Sequence, residues 1–368
     1  MEARTKWDLW TVGNCLRGAN VWQVVNNRVE YGDALGSGRV GPPFSAENLQ
    51  ELRQWGANFV NVSHPGIYTQ SSPYELDKLV QQNLDEFLDK LAAARLYAVI
   101  SFRTGPGRTE HAFDPPPSTA AANVIWKNKK AQDSWVAMWS KTAARYKNHP
   151  AVIGYNLMVE PNSNVTSVNE WDPAVFARKY SGTTYDWYAL AKRIIPAIRK
   201  VDATTPILVS AMNYGDVGWL MQMPLMPDEK TVYVIHQYEP FLFTHQAPPF
   251  ANTYPGFFDG NWDDLPETID KTWLKSLITP ARDFRVKNNV PVVVLEYGAK
   301  HRVPNASGYL KDELGIFESL ELSHAIWLWE TDYRGVDWDD FSVSAAADPA
   351  YIHALKTNWS KNSQFILP

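Results

Sequence analysis

Eight short apolar runs recur along the chain, and helix-length amphipathic stretches separate most of them. The runs occupy 15–21, 57–63, 97–102, 151–159, 206–212, 231–238, 291–297 and 324–329. Most are continuously apolar rather than alternating, as strands of a parallel sheet covered on both faces must be. Between them, "SAENLQELRQWG" (45–56) carries Ser45 as N-cap and Gly56 just past its end. Residues 76–96 and 131–148 repeat apolar positions at helical spacing. A helix over 187–202 should kink near Pro196, which cannot bond back. Further helices are expected near 265–288 and 308–320. Eight β/α units in 368 residues predict an α/β fold, a (β/α)8 TIM barrel. It is read as a single domain, 1–368, with elaborated βα loops. No Gly-x-Gly-x-x-Gly follows the first run, which disfavours a doubly wound nucleotide-binding sheet.

Composition removes several function classes. A net charge of −5 argues against a nucleic-acid partner. No run approaches the roughly 18 apolar residues that predict membrane insertion. Cys15 is the only cysteine, so no intrachain disulfide or thiolate metal cluster can form. The histidines lack metal-ligand spacing, and no Gly-x-Ser-x-Gly elbow occurs. Neither a cofactor nor a metal is therefore expected, and the chain is read as a monomer. The start, "MEARTKWDLW", lacks the apolar core of a leader. A cytoplasmic protein and a secreted one whose leader is missing from this sequence both remain open. Sixteen Trp, seventeen Tyr and fifteen Phe fit either a carbohydrate cleft or a large aromatic core.

Barrel enzymes work at the C-terminal ends of their strands. Here those ends carry Asn20 and Trp22, Asn61 and His64, Arg103, Glu160 and Asn162, Asn213 and Tyr214, His236 and Tyr238, Glu296 and Tyr297, and Trp327 and Trp329. Either acid alone could be an ordinary strand-end carboxylate. Together, Glu160 and Glu296 would face each other from strands four and seven, which is what glycoside hydrolysis requires. Val159 offers an apolar flank suited to a proton donor, while Tyr238 and Arg103 could hold Glu296 ionised. The acidic stretch 329–340 reads as a solvated loop. Trp219, Trp262 and Trp338 could extend the cleft, and Pro-rich loops at 113–117 and 247–255 could build its walls.

Several segments together resemble glycoside hydrolase family 5. "LRGANVW" is similar to the family's first strand, and "NLQELRQWGANFVNV" to its first helix and second strand. "ARYKNHPAVIGYNLMVEPN", "IRKVDATTPILVS", "HQYEP", "VVLEYG" and "AIWLWETD" resemble its later elements in the same order. The resemblance implies Glu160 as general acid/base and Glu296 as nucleophile of a retaining hydrolase acting on β-linked glucan or mannan, hence polysaccharide degradation. It also implies His236 and Tyr238 at the cleavage subsite, with Trp327 as the sugar platform, or Trp329 should the register differ by one residue. Arg103, Asn61, His64, Asn162 and Trp22 complete the expected substrate contacts. Three positions depart from the family: Val159 replaces the usual Asn, Asn61 a usual Arg, and Arg103 a frequent His. Arg103 is therefore expected to supply the missing cation near Glu296, and Asn156 or Asn162 to hold the sugar 2-hydroxyl. A carbohydrate-binding barrel without catalysis, and a transglycosylase using the same acids, are the alternatives.

Overall fold

The computed structural model describes residues 5–13, 16–27, 30, 35–114, 122–329 and 341–362. Cys15, Trp338, the acidic stretch over 330–340 and the end of the 113–117 loop lie outside the described residues. The strands are β1 (Arg17–Trp22), β2 (Phe59–Pro65), β3 (Tyr97–Thr104), β4 (Val152–Asn156), β5 (Ile207–Ser210), β6 (Thr231–Gln237), β7 (Val292–Tyr297) and β8 (Ser323–Ile326). All pair in parallel with their sequence neighbours, and β8 pairs with β1 to close the barrel.

Around it run α1 (Ala46–Gln54), α2 (Lys78–Ala93), α3 (Lys129–Tyr146), α4 (Trp187–Arg199), α5 (Lys271–Asn288), α6 (Ala306–Ser319) and α7 (Pro349–Trp359). Six of the seven start on a side-chain cap: Ser45, Asp77, Asn128, Asp186, Asp270 and Asp348 accept from first-turn N–H groups. Each such cap contributes about 1 kcal/mol. Pro196 sits in the last turn of α4, and the helix continues through it to Arg199. The helix expected from 265 begins only at Lys271. Residues Glu267–Ile269 instead pair antiparallel with Gly256–Phe258, and Asp270 then caps α5. After β5 a left-handed turn over Met212–Gly215 and a four-residue helical turn, Val217–Leu220, stand where a long helix follows most other strands.

Inside the barrel Phe59, Tyr97, Val99, Ile153, Leu208, Val232, Val234, Val293, Leu295 and Ala325 pack together. Trp10 joins this cluster, and its indole N–H donates to the Ile153 carbonyl at 3.1 Å. A polar layer lies within the same barrel. Asn20 donates to the Leu295 and Ala325 carbonyls, Asn61 bonds to Asn20 and Ser101, and Ser210 bonds to Asn156. The larger apolar core fills the space between strands and helices. Burying each Leu, Ile or Phe there contributes about 1.5–3 kcal/mol.

Candidate active site

Side chains alternate along a strand, so the residues that reach the mouth follow from which ones face inward lower down. In β3 the inward series is Val99, Ser101 and Arg103; in β6 it is Val232, Val234 and His236. β7 breaks the alternation. Val293 and Leu295 point inward, yet the pairing with β6 shifts between Val294 and Glu296. Such an irregularity re-aims the next side chain. Glu296 therefore enters the cavity, and Tyr297 turns outward to meet Phe317 of α6 and His324.

The ladder of β4 stops at Asn156, short of the expected Val159. Beyond it Leu157 N–H still bonds to Leu208 and Val159 N–H to Phe102, until Glu160 turns at φ 51°. A left-handed conformation is uncommon for a residue with a Cβ. Here it brings the Glu160 side chain onto the cavity wall.

The cavity encloses about 860 Å³ and contains both acids. His236 stands between them: its Nδ1–H donates to Glu160 Oε1 at 2.9 Å and lies 3.5 Å from Glu296 Oε2. One oxygen of each carboxylate lies within 4.8 Å of the other. The Tyr238 hydroxyl donates to Glu296 Oε2 at 3.1 Å. Glu296 Oε1 and His236 Nε2 are buried and meet no hydrogen-bond partner among the described residues. These two acids and His236 are also the group, among the described residues, whose ligand atoms could converge on a cation.

The electrostatics differ from the expected division of charge. Burial pushes the Glu296 carboxyl up to about 7, and the charge of Glu160 adds to the rise. His236, Arg103 and the Tyr238 hydroxyl pull it down but do not prevail. Burial opposes a charged His236, yet the two carboxylates outweigh it and raise the imidazole. Near neutrality Glu296 therefore takes up a proton. Tyr238→Phe is expected to lower kcat about 10- to 100-fold. The loss of its donor should also move the pH profile upward, and steady-state rates across pH check both.

Arg103 is buried on the cavity wall, and its charge reaches both acids. Its hydrogen bonds go elsewhere: Nη2 meets Glu110 Oε1 at 2.7 Å and Nη1 meets Ser63 at 3.2 Å. The guanidinium also covers Phe113 at 4.3 Å and Trp327 at 5.3 Å. Arg103 thus supplies the expected positive field, but its hydrogen bonds go to Glu110 and Ser63 rather than to Glu296, and Glu110 offsets part of its charge. Glu110 escaped the sequence reading because it lies in a helical turn, Glu110–Phe113, past the end of β3.

Trp327, His236 and Tyr238 line the cavity as expected, as do Asn213, Tyr214 and Trp262. Five other expected contacts are corrected. Trp329 is fully buried outside the barrel, edge-on to Trp55 at 5.0 Å. Asn61 lies in the interior polar layer, with its amide held by Asn20 and Ser101. His64 has the opposite facing and bonds to Asn83 of α2. Asn162 is buried behind the wall and donates to the Ala112 carbonyl. Trp22 packs with Trp327 in a small apolar cluster and donates to Glu110 instead of lining the cavity. Neither Asn156, which accepts from Ser210, nor Asn162 lines the cavity, so neither stands where a residue holding the 2-hydroxyl was expected. Trp219 is buried against Phe176 and extends no cleft. Phe113, at the start of the expected 113–117 wall loop, lines the cavity, whereas sequence reasoning missed Trp171, Asp216, Phe241 and His245 in the segments that follow β4, β5 and β6.

A model of the family described as Cellulase (glycosyl hydrolase family 5) matches residues 31–332. The chain belongs to glycosyl hydrolase family 5. Among relatives, Endoglucanase C from Acetivibrio thermocellus is 22% identical over 247 residues, covering 60% of this chain and 65% of that protein. A Beta-xylosidase from Phanerodontia chrysosporium is 26% identical over 266 residues, covering 68% and 48%. The chain therefore spans less than two thirds of the length of either relative. The endoglucanase Cel5A from the hyperthermophilic Thermotoga maritima shares the fold, with a TM-score of 0.68, 16% identity and coverage of 96% and 100%.

Proposed function

We propose that this family 5 chain is a retaining β-glycosidase that cleaves a β-linked glucan or mannan, or an oligosaccharide from one. Residues 1–368 then form one catalytic barrel working as a monomer. The observation that carries the reading is the approach of the Glu160 and Glu296 oxygens to within 4.8 Å. Retaining enzymes hold their carboxyl groups about 5–5.5 Å apart, whereas inverting ones leave a wider gap for water. In this reading Glu296 attacks the anomeric carbon with Oε1, while Oε2 rests on Tyr238. Glu160 gives its proton to the departing oxygen and later takes one from water. His236, in contact with both acids, orients the pair. Trp327 forms the platform for the sugar, with Arg103 beside it. The relatives' names, Endoglucanase C and Beta-xylosidase, agree with a β-glycoside substrate without choosing the sugar.

Proton NMR of the first product formed from soluble glucan or mannan tests this. A β-anomer appearing before mutarotation is expected, and an α-anomer would overturn the retaining mechanism. An added acceptor sugar separates hydrolysis from transfer. Dialysis against a chelator should leave turnover unchanged within about twofold, because the double displacement needs only carboxyl chemistry. A large loss restored by a divalent cation would instead assign the trio to a metal.

A further inference from the structure

The loop after β3 reaches under the acid Glu160. Gly105, Pro106, Gly107 and Arg108 form a tight turn, with Gly105 and Arg108 bonded to each other at 2.9 Å in both directions. Gly107 adopts φ 72°, as the third residue of a Pro-Gly turn must. A Cβ there would meet Ala131 at 2.9 Å and the Ile125 nitrogen at 3.0 Å. Three further bonds pin the turn: Gly107 N–H to Gln70, Trp135 Nε1–H to Pro106, and Ile125 N–H to Gly107.

From this rigid base the fully buried Arg108 sends both guanidinium arms to the backbone. Nη1 donates to the Val159 carbonyl at 2.6 Å and Nη2 to the Glu160 carbonyl at 2.8 Å. In an extended strand successive carbonyls point to opposite sides, so one fork could not hold both. The left-handed turn at Glu160 lets one planar fork take the two together. The guanidinium also lies 4.8 Å from the Phe113 ring, which limits its tilt. Burial lowers its pKa to about 10, and the Glu160 charge pulls the other way. A cation placed here at such a desolvation cost has a specific duty.

We propose that Arg108 is a positioning residue that fixes the backbone of Glu160 in its left-handed turn and so aims the proton donor at the leaving oxygen. The inference rests on the reading of Glu160 as acid/base. It requires that loss of Arg108 impair only those steps that need the proton. The test compares kcat/KM of Arg108→Met and Arg108→Lys on two substrates. Phenyl β-cellobioside needs protonation of its leaving group; 2,4-dinitrophenyl β-cellobioside does not. On the phenyl substrate a loss of about 100-fold is expected, the scale of a 1 Å misplacement. On the dinitrophenyl substrate the loss should stay below about threefold. Arg108→Lys keeps the buried charge and serves if Arg108→Met does not fold. Equal losses on both substrates, or none on either, overturn the proposal. Glu160→Ala on the same pair separates the two claims. If it discriminates between the substrates and the Arg108 variants do not, only the role of Arg108 fails. If it does not discriminate, the reading of Glu160 fails and this inference with it.

Discussion

Glu296→Gln should reduce turnover roughly 10⁴-fold or more while the barrel stays folded. The amide keeps the shape of the side chain but removes the oxygen that the proposed mechanism uses to attack the anomeric carbon. The same variant should be more stable than the parent above neutral pH. The folded-state pKa of Glu296 is about 7 against an ordinary 4.5, so its ionisation disfavours the native state. That penalty is absent below pH 4.5, grows as pH rises, and is complete above about 7. A displacement of this size corresponds to at most about 3 kcal/mol, less what Gln loses at Tyr238 and His236. Thermal unfolding should therefore show a gain for Glu296→Gln at about pH 8 that vanishes near pH 4. A stability difference independent of pH would mean that Glu296 is not held in a raised state.

Glu160→Ala should act on a different step. Hydrolysis of substrates with poor leaving groups is expected to fall about 10²- to 10⁴-fold, the usual worth of general acid–base catalysis. Activated aryl glycosides should still form the covalent intermediate at nearly the parent rate, because their leaving groups depart without a proton. The intermediate would then accumulate, since Glu160 no longer draws a proton from water. Azide, which needs no base, should relieve that block and yield a β-glycosyl azide. Stopped-flow bursts and product analysis read both effects. A uniform loss across leaving groups, with no response to azide, would remove Glu160 from the proton-transfer role.

The barrel was legible because each strand is an apolar run of the right length, and most helices begin at a recognisable cap. Glu160, His236, Tyr238, Glu296 and Trp327 were legible for a related reason: they terminate those runs. Position within the rim was harder. Asn61 and His64 are three residues apart, so they face opposite ways, and strand boundaries alone do not say which faces in. The irregularity in β7 that turns Glu296 inward leaves no mark in "VVVLEY". Trp327 and Trp329 share a parity by count, yet Trp329 ends outside the barrel against Trp55. Glu110 was hidden because it sits in a helical turn past the end of β3, and Arg108 because its partners, the Val159 and Glu160 carbonyls, are distant in sequence. The Gly-Pro-Gly turn before Arg108 was the signal available for it. The departures at Val159 and Asn61 were visible in the sequence, but how the fold answers them was not. Arg103 does stand at the cavity, with Glu110 as its main partner.

Trapping the covalent intermediate tests the central claim most directly. The chain is incubated with a 2-deoxy-2-fluoro β-cellobioside or β-mannobioside carrying a good leaving group, then digested and sequenced by mass spectrometry. A single fluoroglycosyl adduct on Glu296, formed as activity is lost, is the predicted result. An adduct on another residue, or undiminished hydrolysis with no adduct at all, would contradict it.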